Sequence, residues 1–261
     1  MEYGRKNVFG CAANFLRGKK CVLCGSFKVY RTGRGYVKCR QCGHQKSLRK
    51  IRLGIAIVTG FHQQCPAYRL ASDLGVDYQT VTRLYQSLRN TLYHLAELEG
   101  KKLSGDIEMD ESYFGGRRKG RRGRGAAGKH IVFGLLERDG KVYTRVVEQV
   151  TKEELMAIIQ KKTRKGSVYY TDSFTSYNSL KRLGKHHTVT HSKAFVDRRT
   201  KNHINGIEGF WSFAKHILYN YRGVSKYHFP MYLKEVEYRY NHRRDNLFKL
   251  FLTAHFGYET H

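Results

Sequence analysis

Three carboxylates stand out in this chain because acidic residues are scarce and these three lie on or directly after predicted strands, or on a predicted helix. The sequence has 21 Asp and Glu against 49 Lys and Arg. Asp110 lies on a predicted strand, Asp172 directly follows another, and Glu208 lies on a predicted helix with 35 residues between it and Asp172. Lys215 follows seven positions later, two helical turns along the same face. Carboxylate oxygens are the ligands that Mg²⁺ and Mn²⁺ prefer, so these three acids would form a site for hard divalent cations if the fold brings them together.

Neighbouring polar residues leave the ligand set open at one position. Asn205 precedes Glu208 by three residues, about one helical turn, and is the alternative third ligand. We favour Glu208 because a carboxylate binds Mg²⁺ better than a neutral amide does. Glu108 is predicted to share the strand face of Asp110, whereas Glu111 should point to the other face. Neither is placed among the ligands, and each is a candidate only for supporting the ligands.

Four of the six cysteines form two pairs with the spacing of zinc ligands. The pairs are Cys21 with Cys24 and Cys39 with Cys42. Each C-x2-C turn directs two thiolates at one point, and two such turns complete the tetrahedron that zinc prefers. Between the pairs, residues 27–30 and 35–38 have the pattern of a hairpin. Residues 1–48 are therefore predicted to form a zinc ribbon with one structural Zn²⁺, while Cys11 and Cys65 have no such spacing.

Residues 49–99 have helical patterning that includes two helices around a short turn. A helix from Pro66 is predicted to end at Gly75, and Asp77 is placed to cap the next helix. This spacing is typical of a helix-turn-helix, although a helical hairpin that only packs has the same pattern. In the first case, four outward side chains of the second helix would contact DNA. They are Gln79, Thr80, Thr82 and Arg83.

The charge of the chain predicts a polyanionic partner. The formal net charge is +28, which favours nucleic acid or an anionic membrane. Basic residues are spread through the whole chain, and this favours nucleic acid, although charge does not distinguish DNA from RNA. The sequence has no apolar run of 18 residues and no signal pattern, so we expect a cytoplasmic protein without a membrane partner.

Residues 104–247 alternate between strand-like and helix-like patterns. The predicted order is strands 107–114, 131–136 and 142–150, helix 152–162, strand 167–171, a short helix, a weak strand 187–190 and helix 204–219. This order places Asp110 on the first strand, Asp172 after the fourth and Glu208 on the last helix.

These features resemble the DDE superfamily of transposases and retroviral integrases, which share a ribonuclease-H-like fold. Asp110 lies on the first strand and Asp172 follows the fourth, as in that superfamily. The 35 residues between Asp172 and Glu208, and Lys215 seven positions after this helical Glu, complete the likeness. Residues 110–116, 170–172 and 203–212 resemble bacterial insertion-sequence transposases with an N-terminal zinc ribbon. The resemblance implies an α/β fold: a mixed five-stranded sheet with flanking helices, preceded by the ribbon and the helix-turn-helix. Residues 248–261 would form a tail.

The resemblance also implies a function. A DDE transposase binds the ends of an insertion sequence and catalyses metal-dependent DNA cleavage and strand transfer. Asp110, Asp172 and Glu208 would hold two Mg²⁺ or Mn²⁺ ions. The partners would be double-stranded DNA, both terminal repeats and target, and further copies of the chain in a dimer or larger synaptic complex. The protein would act in the bacterial cytoplasm, at the nucleoid.

Further DNA contacts follow from the same resemblance. Lys215 would contact the terminal phosphates, and Trp211 would either stack on a base or pack in the core. The Gly-rich loop 115–128 would clamp the phosphate backbone. Its named contacts are Arg117, Arg118, Arg121 and Arg122. Two other functions remain open: a DNA-binding regulator without catalytic activity, and a structure-specific nuclease that cuts without rejoining.

Overall fold

The computed structural model describes residues 21, 24–99, 102–115, 129–172, 180, 182–189, 203–221 and 223–257. The chain divides into two compact units, Met1–Leu92 with Arg243–His261, and Tyr93–His242. Three predicted features lie outside the described residues. They are Cys11, residues 116–128 of the basic loop with the four arginines named above, and most of the short helix after Asp172.

The first unit contains a three-stranded antiparallel sheet in the order β1-β2-β3. The strands are β1 (Val29–Arg31), β2 (Tyr36–Cys39) and β3 (Gln45–Ser47). The predicted hairpin is confirmed, with each strand shifted by one or two residues along the chain, whereas β3 was not predicted. Gly35 closes the turn with a φ of 76°, a conformation that glycine adopts without strain. Val37 and Cys39 are fully buried between the strands.

Three helices follow, α1 (Leu48–His62), α2 (Ala67–Leu74) and α3 (Tyr78–Leu98). The turn between α2 and α3 has the predicted chemistry. Gly75 ends α2 in the left-handed conformation, with φ 60° and ψ 40°. The Oδ1 atom of Asp77 accepts a 2.8 Å hydrogen bond from the backbone N–H of Gln79, which caps the start of α3.

The second unit is built on a mixed five-stranded sheet in the order β6-β5-β4-β7-β8. Its strands are β4 (Asp106–Phe114), β5 (His130–Glu137), β6 (Val142–Val147), β7 (Val168–Thr171) and β8 (Lys185–Thr188). The pairs β4–β5 and β5–β6 are antiparallel, and β4–β7 and β7–β8 are parallel. This is the ribonuclease-H-like arrangement predicted from the sequence. The last strand begins two residues earlier than predicted.

Helices cover both faces of this sheet. They are α4 (Lys152–Lys162), α5 (Asn205–Leu218) and α6 (Phe229–Asn241), with a 3₁₀ turn at Tyr219–Tyr221. Successive residues of a strand point to opposite faces. Accordingly, Val132 and Leu136 of β5 join the cluster under α5 and α6, while Phe133 and Leu135 join the cluster under α4. On β4, the face toward α5 is therefore the one that carries Asp110.

The last helix, α7 (Leu247–Gly257), belongs to the first unit. The prediction of a tail at residues 248–261 is wrong for its first ten residues, because they are helical and partly buried. Phe251 is fully buried, and its ring lies 5.3 Å from the ring of Phe61 on α1 in an edge-to-face contact. Within the described part of the chain, the helices are all too short or too polar to cross a membrane.

Candidate metal centres and active site

The four predicted zinc ligands lie together in the ribbon. Their Sγ atoms are all within 4.8 Å of one another. Cys21 and Cys42 are separated by 3.6 Å, and so are Cys24 and Cys39. Tetrahedral zinc with Zn–S distances near 2.3 Å requires sulfur–sulfur distances of about 3.8 Å. The donor set therefore fits a structural zinc ion.

The surroundings of the thiols also favour a bound cation. The backbone N–H of Cys42 donates to the Cys39 thiolate, which lowers the pKa of Cys39 to about 6. At Cys42 the His44 amide acts in the same direction, but burial and the neighbouring thiols outweigh it and raise the pKa of Cys42 to about 12. Four thiolates so close together need a positive charge between them, and a zinc ion supplies it.

The carboxylate of Asp110 is held by a side chain of helix α5. The indole N–H of Trp211 donates to Asp110 Oδ2 over 3.1 Å. Gly134 is the residue of β5 that pairs with Asp110, and a Cβ atom there would lie 2.6 Å from the Trp211 ring. Because glycine has no side chain, the indole ring can occupy this space, and its N–H reaches Asp110.

The carboxylate of Asp110 lies close enough to Asp172 and Glu208 to be affected by their charges. Burial, and to a smaller extent the charges of Asp172 and Glu208, raise the pKa of Asp110 to about 6. The N–H groups of Glu111 and Trp211 oppose this effect only in part. Asp172 follows β7, the parallel neighbour of β4, so the sheet itself brings the two aspartates together.

An open cavity of about 280 Å³ lies at this position. Its lining comprises Asp110, Glu111, Ser112, Tyr113, Val150, Asp172 and Lys215. Two of the three predicted metal ligands and the predicted phosphate contact thus share one cavity. Lys215 is exposed there, as a residue that contacts DNA would have to be.

The third ligand position lies in the first turn of α5. Glu208 is half-buried and Asn205, the first residue of the helix, is exposed. Among the described residues, the four cysteines are the one group of three or more whose ligand atoms all lie within 4.8 Å, so the carboxylates are spread more widely. Two ions about 3.5–4 Å apart need ligands that are distributed around a cavity, whereas a single ion needs ligands that converge on one position. An oxygen-only donor set beside an open cavity fits Mg²⁺ or Mn²⁺.

Glu108 has a contact that the sequence did not reveal. It shares the strand face of Asp110, as predicted, and is fully buried. Its Oε2 atom accepts a 2.9 Å hydrogen bond from the backbone N–H of Ile207, and Oε1 accepts one of 2.9 Å from Arg138 Nε. The local sequence signal for this role is the alternation of strand β4, which places Glu108 on the same face as Asp110.

Comparison with known proteins identifies the family. The sequence model of the ISXO2-like transposase domain matches residues 102–241, more than half of the chain. The chain belongs to the ISXO2-like transposase family. A Haemophilus influenzae (strain ATCC 51907 / DSM 11121 / KW20 / Rd) protein described as an uncharacterized transposase-like protein is 43% identical over 102 residues. The match covers 39% of this chain and 81% of that protein.

Solved structures with some likeness to the transposase include two of Mos1. The Mos1 strand transfer complex is 14% identical, with 72% of this chain and 76% of that chain covered and a TM-score of 0.26. The Mos1 mariner paired end complex with Mn is 13% identical, with 74% and 75% covered and a TM-score of 0.26. Because these scores are low, the fold assignment relies on the strand order and directions described above.

The predicted DNA-contacting residues of the transposase have different surroundings. On α3, Gln79, Thr80 and Arg83 are exposed and Thr82 is half-buried. Arg83 Nη2 donates to Gln79 Oε1 over 3.0 Å. Trp211 is only 3% exposed and packs against the rings of Phe114 and Phe210, which favours core packing over base stacking.

Proposed function

We propose that the chain is a DDE-type transposase, with Asp110, Asp172 and Glu208 as ligands of two divalent cations, Mg²⁺ or Mn²⁺. The observation that supports this most strongly is the open cavity lined by Asp110, Asp172 and Lys215. The cavity combines carboxylate oxygens, which are ligands for hard metal ions, with the ammonium group of Lys215, which would bind a phosphate. The proposal includes Glu208 because residues on either side of it on α5, Ile207 and Trp211, bond Glu108 and Asp110 of β4.

The cations explain how an acidic cavity accepts a polyanion. Unless cations are bound, the three carboxylates repel the phosphates of DNA. Asp110, Asp172 and Glu208 would hold two cations, which would supply activation of the attacking oxygen and stabilisation of the leaving oxygen at phosphorus. Asp110 must be ionised to take part, and with a pKa of about 6 it is mostly ionised at neutral pH. Lys215 places a positive charge at the cavity, where it contacts a phosphate near the reacting bond.

The reaction has two steps at the same site. First, a water oxygen attacks a phosphorus at the end of the element and the bond to the 3′ oxygen breaks, which leaves a 3′ hydroxyl on the element. Second, that hydroxyl attacks a phosphodiester of the target, forms a new ester bond and releases a target 3′ hydroxyl. In both steps Asp110, Asp172 and Glu208 would hold the cations. Lys215 would orient the phosphate and compensate part of its negative charge.

The first unit would recognise the element. The zinc ribbon and the exposed residues of α3, including Gln79, Thr80 and Arg83, would contact the terminal repeats in double-stranded DNA. Because an element has two ends, we propose a dimer or a larger synaptic complex as the working form. The protein would act on DNA in the bacterial cytoplasm, at the nucleoid.

The test is cleavage and joining of terminal-repeat DNA in Mg²⁺. Asp110→Asn and Asp172→Asn should each lower the cleavage rate by on the order of a hundredfold or more, since a metal-bound transition state loses several kcal/mol of stabilisation. Asp139→Asn, in the exposed turn after β5, is the matched control and should cleave normally. Undiminished cleavage by either variant would refute the proposal. Cleavage without strand transfer would indicate a nuclease, and DNA binding without cleavage would indicate a regulator.

A further inference from the structure

Helix α5 carries Glu208 in its first turn but has no cap of its own. The residue at the cap position is Ile204, whose side chain offers no acceptor. The first backbone N–H groups of a helix have no partner within the helix and need one from elsewhere. A side-chain cap contributes on the order of 1 kcal/mol to the stability of a helix. The partner of α5 therefore has to come from another element.

Glu108 of β4 supplies that partner. Its carboxylate accepts the Ile207 N–H over 2.9 Å, although the two residues are 99 positions apart in the chain. A negative charge at a helix N-terminus is also favourable for the helix dipole. The approach depends on Gly206, because a Cβ atom at that position would lie 2.8 Å from Glu108 Oε2. The sequence thus leaves space for this carboxylate in the first turn of α5.

Arg138 fixes the carboxylate and the backbone before the helix at once. Its Nε donates to Glu108 Oε1 over 2.9 Å, and its Nη2 donates to the backbone carbonyl of His203 over 2.7 Å. The guanidinium lies 3.8 Å from the centre of the Tyr170 ring, which restricts its orientation further. The Nδ1 atom of His203 also lies 3.3 Å from Glu108 Oε1. The buried carboxylate is tolerated because Arg138 and the Ile207 N–H compensate its charge.

These contacts connect β4 to α5 at two points beside the proposed active site. Glu108 bonds the residue directly before Glu208, and Asp110 bonds Trp211, the third residue after Glu208. These two hydrogen bonds therefore fix the position of β4 relative to α5 at the place where Asp110 and Glu208 lie.

We propose that Glu108 is a positioning residue for the metal site. By accepting the Ile207 N–H, it fixes where α5 begins and hence where Glu208 lies relative to Asp110. This inference rests on the proposed role of Asp110 and Glu208 as metal ligands. Residues around metal ligands commonly change metal affinity by about 10- to 100-fold when they are replaced.

The experiment compares Glu108→Ala and Glu108→Gln with the same two substitutions at Glu237. Glu237 is a matched control because it is also buried and also accepts from a backbone N–H and a cation, those of Thr144 and Lys234. Three quantities are measured on the full-length protein. They are Mn²⁺ binding by electron paramagnetic resonance, the Mg²⁺ concentration for half-maximal end cleavage, and amide hydrogen exchange of residues 203–212.

Glu108→Ala should weaken Mn²⁺ binding and raise the half-maximal Mg²⁺ concentration about tenfold or more, and it should speed exchange in the first turn of α5. Glu108→Gln keeps an acceptor oxygen and should have a smaller effect. The Glu237 variants should lower the melting temperature without a change in metal affinity. Equal metal affinities of wild type and Glu108→Ala, or an equal loss in the Glu237 variants, would overturn the inference.

A second pair of variants keeps the inference testable if Glu108→Ala does not fold. Gly206→Ala would push the Glu108 carboxylate from its place, whereas Gly209→Ala, on the same helix, meets no atom within 4 Å. Alanine favours a helix over glycine by about 1 kcal/mol, so neither change should disfavour α5 itself. Only Gly206→Ala should weaken Mn²⁺ binding and speed exchange in the first turn, and the same result for both would contradict the inference. If wild type neither binds Mn²⁺ nor cleaves, the proposed function fails, while the exchange measurement still tests the cap.

Discussion

The zinc ribbon and the carboxylate site are two candidate metal centres that differ in how their donors are assembled. The four cysteines come from a segment of 22 residues, and their sulfur atoms lie within 4.8 Å of one another. The three acids come from a strand, a strand end and a helix that are far apart in the chain, and two of them, Asp110 and Asp172, line an open cavity. A closed set of four ligands suits a structural ion, whereas ligands around an open space suit a reaction.

The two centres also differ in what holds their donors. In the ribbon the short turns themselves direct the thiols. At the carboxylate site, Trp211 bonds Asp110 and Gly134 leaves space for its ring. Packing and hydrogen bonds between distant residues therefore determine the geometry of the second centre. The predictions below separate the two centres by perturbing one at a time.

The largest effect is expected from removal of zinc. Strong chelation or Cys39→Ser should unfold the ribbon, because so small a sheet has little core beyond Val37 and Cys39. End binding should be lost, while Mn²⁺ binding at the carboxylate site should persist. Zinc content by mass spectrometry, with DNA binding and Mn²⁺ binding measured on the same samples, checks this. Purified protein without zinc that still folds and binds DNA would show that the ribbon has another role.

Gly134→Ala should affect the carboxylate site and leave the ribbon intact. The added Cβ would lie 2.6 Å from the Trp211 ring and force it away from Asp110. Overpacking of this kind costs about 1–3 kcal/mol of stability. We expect a lower melting temperature together with weaker Mn²⁺ binding. Gly223→Ala, where a Cβ meets nothing within 4 Å, is the control, and equal behaviour of the two variants would contradict the account.

Trp211→Phe is a milder test of the same contact. Phenylalanine keeps much of the buried ring but loses the N–H that donates to Asp110 Oδ2. We expect Mn²⁺ affinity to fall about tenfold, the lower end of the range for partners of metal ligands. The zinc content should not change. Wild-type affinity in this variant would mean that the hydrogen bond does not orient Asp110.

A different effect, which concerns stability and not metal binding, is a pH dependence of the free energy of unfolding in the metal-free protein. The pKa of Asp110 is about 6 in the folded protein and 3.8 for an ordinary Asp. The folded state therefore binds the proton more tightly than the unfolded chain, so stability falls as pH rises between these values, by at most about 3 kcal/mol. Asp110→Asn should thus stabilise the second unit at pH 7.5 but not at pH 4. If the difference in stability between wild type and Asp110→Asn does not vary with pH, burial and the neighbouring carboxylates do not raise the pKa of Asp110.

The contrast between short-range and long-range contacts also explains which features could be predicted from the sequence. The paired cysteines, the Gly75 turn and the Asp77 cap were predicted because each depends on neighbouring residues and local chemistry. The order of strands and helices along the chain was predicted from their alternating patterns, and the mixed five-stranded sheet was predicted from the family resemblance. Strand β3 was missed because three polar residues have no alternating pattern of their own and form a strand only by pairing with β2.

Other features depend on contacts that no local pattern contains. Helix α7 was predicted as a tail, since its burial comes from Phe251 packing on Phe61, nearly 200 positions earlier. The spacing of the acids singled out the three carboxylates, but it did not reveal which residues hold them. The bond from Ile207 to Glu108 spans 99 positions, and the bond from Trp211 to Asp110 spans 101.

The most direct test of the central claim is to locate the cations. Crystals of the protein with terminal-repeat DNA and Mn²⁺ should give anomalous scattering peaks at the cavity, with Asp110, Asp172 and Glu208 as the protein ligands. Coordination by Asn205 in place of Glu208 would correct the third ligand. Full Mn²⁺ occupancy elsewhere with none at Asp110 and Asp172 would contradict the account.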